Sequence, residues 1–291
     1  MANSIKTASA WVPILDAVYQ QAALTNVLDG ASELAKVSAN AGEIIIPKME
    51  MSGLGNYDRN KGYPTGNVTL TTESKKPNFD RGTKFNVDAL DDEESVNLAF
   101  GKLAGEFIRT KVVPELDAFR MAKYATAAGT KAPAATFKTG DEVIKALSAA
   151  KNAMDDAEVP EEMRYLFIHP TLYRAITDLD TYKSKAAIEG FAGIIKVPQS
   201  RFVTAIDQKP GSPDGSENFG YVKNAHAANI NFMVIDKSAV IQFQKHVKPK
   251  IVTPDDNQNA DAWIFGYRNV GIAEVYENKT KGIYLSAQAA L

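Results

Sequence analysis

The chain has 291 residues, of which 45% are hydrophobic and 23% are charged, and its formal net charge is −2. This balance excludes overall electrostatic capture of nucleic acid or of an anionic membrane, and no apolar run approaches the roughly 20 residues that a membrane-spanning helix needs. The sequence contains no cysteine, which excludes disulfides, thiolate nucleophiles and most structural zinc sites. The length is near the upper limit for a single core, so we expect two lobes.

The first part of the chain predicts an arm followed by a ribbon. Residues 1–42 are expected to form an N-terminal arm, because small residues are common there and apolar residues are sparse. Residues 43–91 contain three segments of β composition, and the first two are separated by a stretch rich in Gly, Asn and Pro. We interpret them as a long hairpin with a polar tip. Because an isolated two-stranded ribbon is only marginally stable, it should lie against something else.

The third β segment alternates with a strict period of two, which is the pattern of a strand with two different faces. One face consists of Phe79, Arg81, Thr83, Phe85, Val87 and Ala89. The other face consists of Asp80, Lys84, Asn86 and Asp88.

A long helix is predicted over residues 92–126, which corresponds to about 45 Å at about 1.5 Å per residue. Asp91 is the expected N-cap, and Glu94 completes a capping box. Pro114 is expected to kink or break the helix, because it lacks a backbone donor. The helix should end before Gly129. The apolar stripe is formed by Val96, Phe100, Leu103 and Phe107.

The remainder predicts a mixed lobe followed by a return to strands. Residues 127–250 contain two amphipathic helices, the second beginning at Pro170, together with several buried strands and an exposed loop over residues 207–218. Residues 251–291 contain two apolar strands joined by ENKTKG, which predicts a hairpin turn at Gly282.

The sequence lacks the common motifs of metalloproteases, nucleotide-binding proteins and serine hydrolases. It has no HExxH, no Walker lysine loop, no GxGxxG and no GxSxG elbow. His169, His226 and His246 are interpreted as structural, and the paired acids as solvated. The basic run KHVKPK, residues 245–250, could contact a phosphate or an acidic surface, but a solvated strand end is favoured. We assign no catalytic residue, no cofactor and no metal, and we expect no enzyme.

Several segments in the same order carry a resemblance to a known family. They are DRGTKFNVDALDDEE, VVPELDAFRMAKYA, RYLFIHPTLYRAI, VPQSRF and the long tail from INFMVIDKSAVIQFQ to NKTKGIY. On these segments the chain resembles the major capsid protein of tailed bacteriophages of Gram-positive bacteria, a family with the Hong Kong 97-type capsid fold. The resemblance covers nearly the whole chain from about residue 43.

This resemblance implies an α+β architecture of five parts. It would consist of an N-terminal arm (1–42), an extended loop that reaches across a neighbouring subunit (43–91), a spine helix of the peripheral domain (92–126), an axial domain (127–250), and peripheral strands with the C-terminus (251–291).

The resemblance also implies a function. The chain would assemble as hexamers and pentamers into an icosahedral shell around double-stranded DNA, packaged without sequence specificity. Its partners would be further copies of itself, a portal and a separate scaffolding protein, with no membrane. It would be located in the virion after assembly in the cytoplasm of the bacterial host. The alternatives are an encapsulin-like compartment that encloses a cargo enzyme and, in another class, a soluble two-domain enzyme.

Charges of both signs along the ribbon are the expected contacts between subunits. These residues are Lys75, Lys76, Asp80, Arg81, Lys84 and Asp88. Arg81→Glu or Asp88→Lys is therefore expected to impair shell closure while the subunit stays folded.

Overall fold

The computed structural model describes residues 23–30, 44–60, 62–89, 105–212 and 218–290. The predicted cap at Asp91 and Glu94, the first three positions of the apolar stripe and most of the predicted arm lie outside these residues. No helix in the described ranges is both long enough and apolar enough to cross a bilayer.

The strands are β1 (Ile44–Met51), β2 (Val68–Lys75), β3 (Phe79–Asp88), β4 (Thr130–Lys131), β5 (Arg164–Ile168), β6 (Gly193–Lys196), β7 (Ile206–Gln208), β8 (Tyr221–Lys223), β9 (Ile230–Asp236), β10 (Val240–Val252), β11 (Ala262–Val275) and β12 (Ile283–Ala287). The α-helices are α1 (Val113–Ala127), α2 (Gly140–Asp156), α3 (Pro170–Thr177) and α4 (Tyr182–Ile188). A π turn (Ile108–Val112) precedes α1, and short 3-10 turns include Asn26–Leu28, Gln199–Arg201 and Glu277–Gly282.

The predicted ribbon is a hairpin, but it is shorter than expected. Strands β1 and β2 pair antiparallel from Ile44 opposite Lys75 to Met51 opposite Val68. Strand β3 leaves the ribbon and pairs antiparallel with β11, which in turn pairs with β10. The third β segment therefore belongs to a three-stranded sheet of the body, because its apolar face has a core to cover.

The alternation predicted for β3 is confirmed. Phe79 is buried and its ring centroid lies 5.1 Å from that of Phe119, while Asp80, Lys84 and Asp88 on the other face are exposed. The apolar face of this sheet is thus directed toward the helix that follows in the chain.

The π turn explains how the helix accommodates Pro114. A proline ring clashes with the carbonyl four residues earlier and offers no donor to it, and a wider turn over Ile108–Val112 removes that conflict. Helix α1 then continues to Ala127 and ends before Gly129, as predicted. It is buried around most of its circumference, because it packs against β11 of one sheet and β12 of the other.

The second lobe contains a mixed five-stranded sheet in the order β4-β12-β9-β5-β6. Strand β9 is buried along its whole length. Its Phe232 and Val234 pack with α2, whereas Met233 and Ile235 pack in the core that includes α1. The sheet is therefore covered on both faces, which accounts for the continuous apolar sequence of its central strands.

The hairpin predicted in the last segment is wrong. Strand β11 lies in the three-stranded sheet, whereas β12 pairs with β9 and β4 of the second lobe. The ENKTKG segment is a 3-10 turn that carries the chain between the sheets. Gly282 is needed there for a close approach, since a Cβ would lie 2.6 Å from the Cβ of Ala239. Strand pairing thus crosses the boundary predicted at residue 250, and the five-part division remains a prediction.

Candidate assembly surfaces

One face of the β1–β2 hairpin is both apolar and exposed. Met49 lies opposite Leu70 and Met51 lies opposite Val68, and residues directly opposite each other in an antiparallel pair share a face. These four residues, which we name the apolar hairpin face, are 61% to 70% exposed. The other face carries polar residues, including Glu50, Thr69 and Thr71. Within the described chain the hairpin forms its own two-stranded sheet, so this apolar face has no covering layer there.

The tip of the hairpin also exposes large apolar side chains. Tyr57 and Tyr63 meet edge to face with ring centroids 5.0 Å apart, and both are exposed. The turn between them is closed by the backbone N–H of Gly62, which donates to the carbonyl of Asp58 at 2.7 Å. Gly62 has a φ of +80°, a left-handed conformation that favours glycine. Leu54 is fully exposed nearby in sequence.

The base of the hairpin carries a cluster of charged side chains. Lys75 Nζ lies 2.7 Å from Glu73 Oε1, and Glu73 is 5% exposed. Lys75 also lies 3.7 Å from Glu277 in the turn before β12. The hydrogen bond to Glu73 raises the pKa of the Lys75 ammonium above its ordinary value. Lys75 is therefore paired mainly within β2, and its longer contact with Glu277 is the one that reaches the body of the subunit.

Arg81 is also used inside the subunit. Its Nε donates to Glu115 on α1 at 2.8 Å, and its terminal nitrogen donates to the carbonyls of Lys209 (2.7 Å) and Gly220 (3.2 Å). Those two carbonyls lie at the ends of the loop that joins β7 to β8. One guanidinium thus ties three elements together: β3, α1 and the β7–β8 hairpin.

Asp80 makes a surface pair with Arg268 of β11. The two side chains form a bidentate contact with distances of 2.9 and 2.6 Å, and both are more than half exposed. An exposed pair of this kind contributes little to stability. Lys76, Lys84 and Asp88 are likewise exposed, so the polar face of β3 remains open to solvent in a single chain.

The six residues expected at subunit contacts therefore fall into two groups. Lys75 and Arg81 are partly buried and paired within the chain, whereas the other four are exposed, and of these Asp80 pairs with Arg268. Contact between these residues and a neighbouring subunit remains a prediction. The apolar hairpin face was not singled out from the sequence. The alternating pattern of KMEM and VTL is a signal for it, but only the register brings the two pairs onto one face.

The histidines do not converge on a site. His169 precedes α3, where burial lowers the pKa of its imidazole, and His226 lies on the surface. The side chain of His246 is outside the described part of the chain. No group of three or more potential metal-ligating side chains occurs within the described residues.

No protein-family model matches the chain, and no curated protein matches it in sequence. The architecture, however, is shared with solved structures. Helix α1 packs against β11 of the three-stranded sheet and β12 of the five-stranded sheet, and the β1–β2 hairpin directly precedes β3 in the chain. Solved structures with this architecture cover most of the chain.

A chain from the asymmetric unit of the bacteriophage PhiM1 mature capsid is similar, with a TM-score of 0.62 and 11% identity over 88% of this chain and 84% of that one. A chain from Mycobacterium phage Che8 has a TM-score of 0.57 and 12% identity, over 91% of this chain and 91% of that one. The virus-like particle from Pyrococcus furiosus has a TM-score of 0.56 and 13% identity, over 94% of this chain and 95% of that one. The fold is therefore the Hong Kong 97-type capsid fold, and the predicted α+β class is confirmed.

Proposed function

We propose that this chain is a major capsid subunit. It assembles as hexamers and pentamers into an icosahedral shell around the double-stranded DNA of a tailed phage. The observation that carries the proposal is the apolar hairpin face, on a fold similar to that of a phage capsid chain. In this proposal the chain is structural, not an enzyme, and it resides in the virion after assembly in the bacterial cytoplasm.

The hairpin supports association with further copies of the same chain. Complete burial of one Met, Leu or Val side chain contributes about 1.5–3 kcal/mol. Burial of four such side chains on one face therefore contributes a free energy comparable with the cost of association, which is about 4–15 kcal/mol. In this proposal the hairpin docks on a different part of a neighbouring copy, which makes the contact heterologous. Such contacts close into rings when the rotation between copies allows it.

The exposed charges on β3 support specificity in the same contacts. Asp80, Lys84 and Asp88 carry both signs on one strand face, and charged groups at the rim of an interface direct the register of docking. A portal, a scaffolding protein and packaged DNA are the further partners in this proposal.

The alternative is a compartment that encloses a cargo protein. Similarity to the virus-like particle from Pyrococcus furiosus is the observation that favours this alternative, since its TM-score of 0.56 is close to the 0.57 of the Che8 chain, although below the 0.62 of the PhiM1 capsid chain. The contents of the particle distinguish the two functions.

Negative-stain electron microscopy of the purified full-length chain, alone and with the scaffolding protein of the same phage, tests the proposal. Closed shells, tubes or rings of five and six subunits are the expected result. Particles that are empty, or that carry DNA when recovered from infected cells, support the capsid. Particles that co-purify with one stoichiometric enzyme support the compartment. A chain that stays monomeric under both conditions contradicts both.

A further inference from the structure

An open depression lies on the solvent-facing side of the three-stranded sheet. Its volume is about 480 Å³, and Gly82 of β3 and Gly266 of β11 lie in its floor. The side chains of Asp80, Lys250 and Arg268 line it as well. We name these five residues the glycine depression.

The register of the sheet explains why the depression forms. Gly266 lies in one row across the sheet, between Lys250 of β10 and Lys84 of β3. Gly82 lies opposite Arg268 in the next row on the same face. Because neither glycine has a side chain, the long side chains beside them surround bare peptide surface. Gly82 is exposed and Gly266 is half-buried, so this floor is open in the single chain.

The two glycines differ in whether the subunit itself requires them. A Cβ at Gly82 would lie 2.7 Å from the carbonyl oxygen of Tyr267, so the pairing of β3 with β11 excludes a side chain there. Among the described residues, a Cβ at Gly266 would meet only atoms of Lys250 at 3.7 and 3.8 Å, which is ordinary van der Waals contact. The register on both sides of Gly266 is regular, so a β-bulge does not account for it.

A glycine inside a strand weakens the strand, and it often marks a place where a ligand or another chain approaches closely. Gly266 has neither a steric reason nor a bulge to explain it. It therefore indicates that another group packs on the floor of the glycine depression.

The chemistry of the glycine depression fits a tyrosine. A bare peptide surface accepts the flat face of a ring, and the cations of Lys250 and Arg268 beside it are suited to contact with an aromatic face. Asp80, which holds Arg268 at 2.9 and 2.6 Å, has carboxylate oxygens that can accept from a phenol hydroxyl.

The hairpin tip of the same chain presents two such side chains. Tyr57 and Tyr63 are 59% and 88% exposed, and their rings contact each other edge to face. Neither of them lines the glycine depression of its own chain. A second copy of the chain can supply the tip.

We propose that the glycine depression of one copy receives Tyr63, supported by Tyr57, from the hairpin tip of a second copy. The inference rests on the association of copies proposed above and adds the surface that receives the tip. Since tip and depression are different parts of the chain, each copy can give a tip to one neighbour and receive one from another.

Substitutions on both sides of the contact test the proposal. Gly266→Thr fills the depression, and Tyr63→Ser removes the ring that enters it. Each should weaken association of the 291-residue chain at least about tenfold, measured by sedimentation velocity over a concentration series. The urea midpoint should not fall, because threonine is favoured over glycine in a strand and Tyr63 is exposed. Gly266→Ala adds only a Cβ, should weaken association less, and replaces Gly266→Thr if that variant does not fold.

Two comparisons separate this contact from a general effect. The double variant Gly266→Thr with Tyr63→Ser should associate no more weakly than the weaker single variant, because both changes remove one contact. Asn86→Thr places the same side chain on the same face of β3, outside the glycine depression, and should associate normally.

Disulfide trapping gives the geometry directly, because the sequence has no cysteine of its own. Asn60→Cys at the tip and Lys84→Cys beside Gly266 are introduced into separate chains, which are mixed, assembled and oxidised. We expect at least about tenfold more of this cross-link than of one between Asn60→Cys and Lys183→Cys on α4, because docking raises the effective concentration of the two thiols. Mass spectrometry of the joined peptides identifies each cross-link.

The outcomes distinguish this inference from the proposed function. A parent chain that associates, together with unchanged association of Gly266→Thr or equal amounts of the two cross-links, overturns the inference and leaves the proposed function standing. Additive losses in the double variant also overturn it, because they place the two residues in separate contacts. A parent chain that stays monomeric at every concentration overturns both.

Discussion

Met49 lies directly opposite Leu70 across the hairpin, and both side chains are exposed, by 61% and 65% respectively. The next pair on the same face, Met51 and Val68, repeats the arrangement. A cross-strand apolar pair normally stabilises a sheet by packing under a third layer. Here that layer is absent from the described subunit, which is the physical reason to look for it on a second copy.

The first prediction concerns this face. Leu70→Asp places a charge at its centre, and burial of an unpaired carboxylate at a contact is costly. We expect the association constant of a single contact to fall at least about tenfold, which corresponds to about 1.4 kcal/mol, and the yield of closed shells, which contain many such contacts, to fall by more. The circular dichroism spectrum and the urea midpoint of the subunit should stay unchanged. Electron microscopy and sedimentation velocity measure the yield.

Thr71→Asp is the matched control for that substitution. It introduces the same charge one residue along β2, on the polar face of the same hairpin. Normal shell yield is expected from this variant. Equal losses from the two variants would mean that any charge on the ribbon is disruptive, and normal yields from both would remove the apolar hairpin face from the proposed interface.

How far the sequence predicts this fold depends on the range of the interactions involved. The alternation of β3, the end of the helix before Gly129 and the start of α3 at Pro170 depend on neighbouring residues, and all three are confirmed. The pairing of β3 with β11 joins segments that are far apart in the sequence. Period-two patterns give the faces of a strand, but they do not name its partner.

The sequence pattern alone places Arg81 on the core-facing side of β3, but the sequence analysis interpreted this residue as a contact between subunits. The alternation places Arg81 on the same face as Phe79 and Phe85, which is the face that covers the core. A guanidinium on a core face needs acceptors inside the subunit, and Glu115 with two loop carbonyls supplies them. The acceptors themselves come from α1 and the β7–β8 loop, and no local pattern connects those elements to β3.

The second prediction follows from these contacts. Arg81→Ala leaves a partly buried carboxylate and two carbonyls with one partner fewer each. We expect it to lower the free energy of unfolding by about 1–3 kcal/mol. Arg81→Glu, which faces Glu115, should lower it further, so the earlier expectation of a normally folded Arg81→Glu subunit is revised. Urea denaturation measures both. Lys84→Ala on the exposed face is the control and should stay within about 0.5 kcal/mol of the parent; an equal loss there would contradict the assignment.

The third prediction tests the close approach at the end of α1. A Cβ at Gly129 would lie 2.5 Å from the carbonyl carbon of Thr280, which is backbone and cannot rotate away. Gly129→Ala should therefore destabilise the subunit by about 1–3 kcal/mol. At Gly105, by contrast, an added Cβ meets nothing within 4 Å, so Gly105→Ala should be neutral or stabilising by up to about 1 kcal/mol. Thermal unfolding compares the two, and a neutral Gly129→Ala would show that the turn after β11 shifts without cost.

The fourth prediction is a pH dependence at His169. Burial lowers the pKa of this imidazole below its ordinary value of 6.5, so the unfolded chain binds the proton first as the pH falls. The contribution of His169 to stability is complete above pH 6.5 and is lost as the pH falls from there to the lowered pKa of the folded state. His169→Asn and His169→Gln remove this titration, so the difference in unfolding free energy between parent and variant should change across that interval. Urea titrations at closely spaced pH values measure it. A difference that stays constant with pH would show that the imidazole titrates equally in both states.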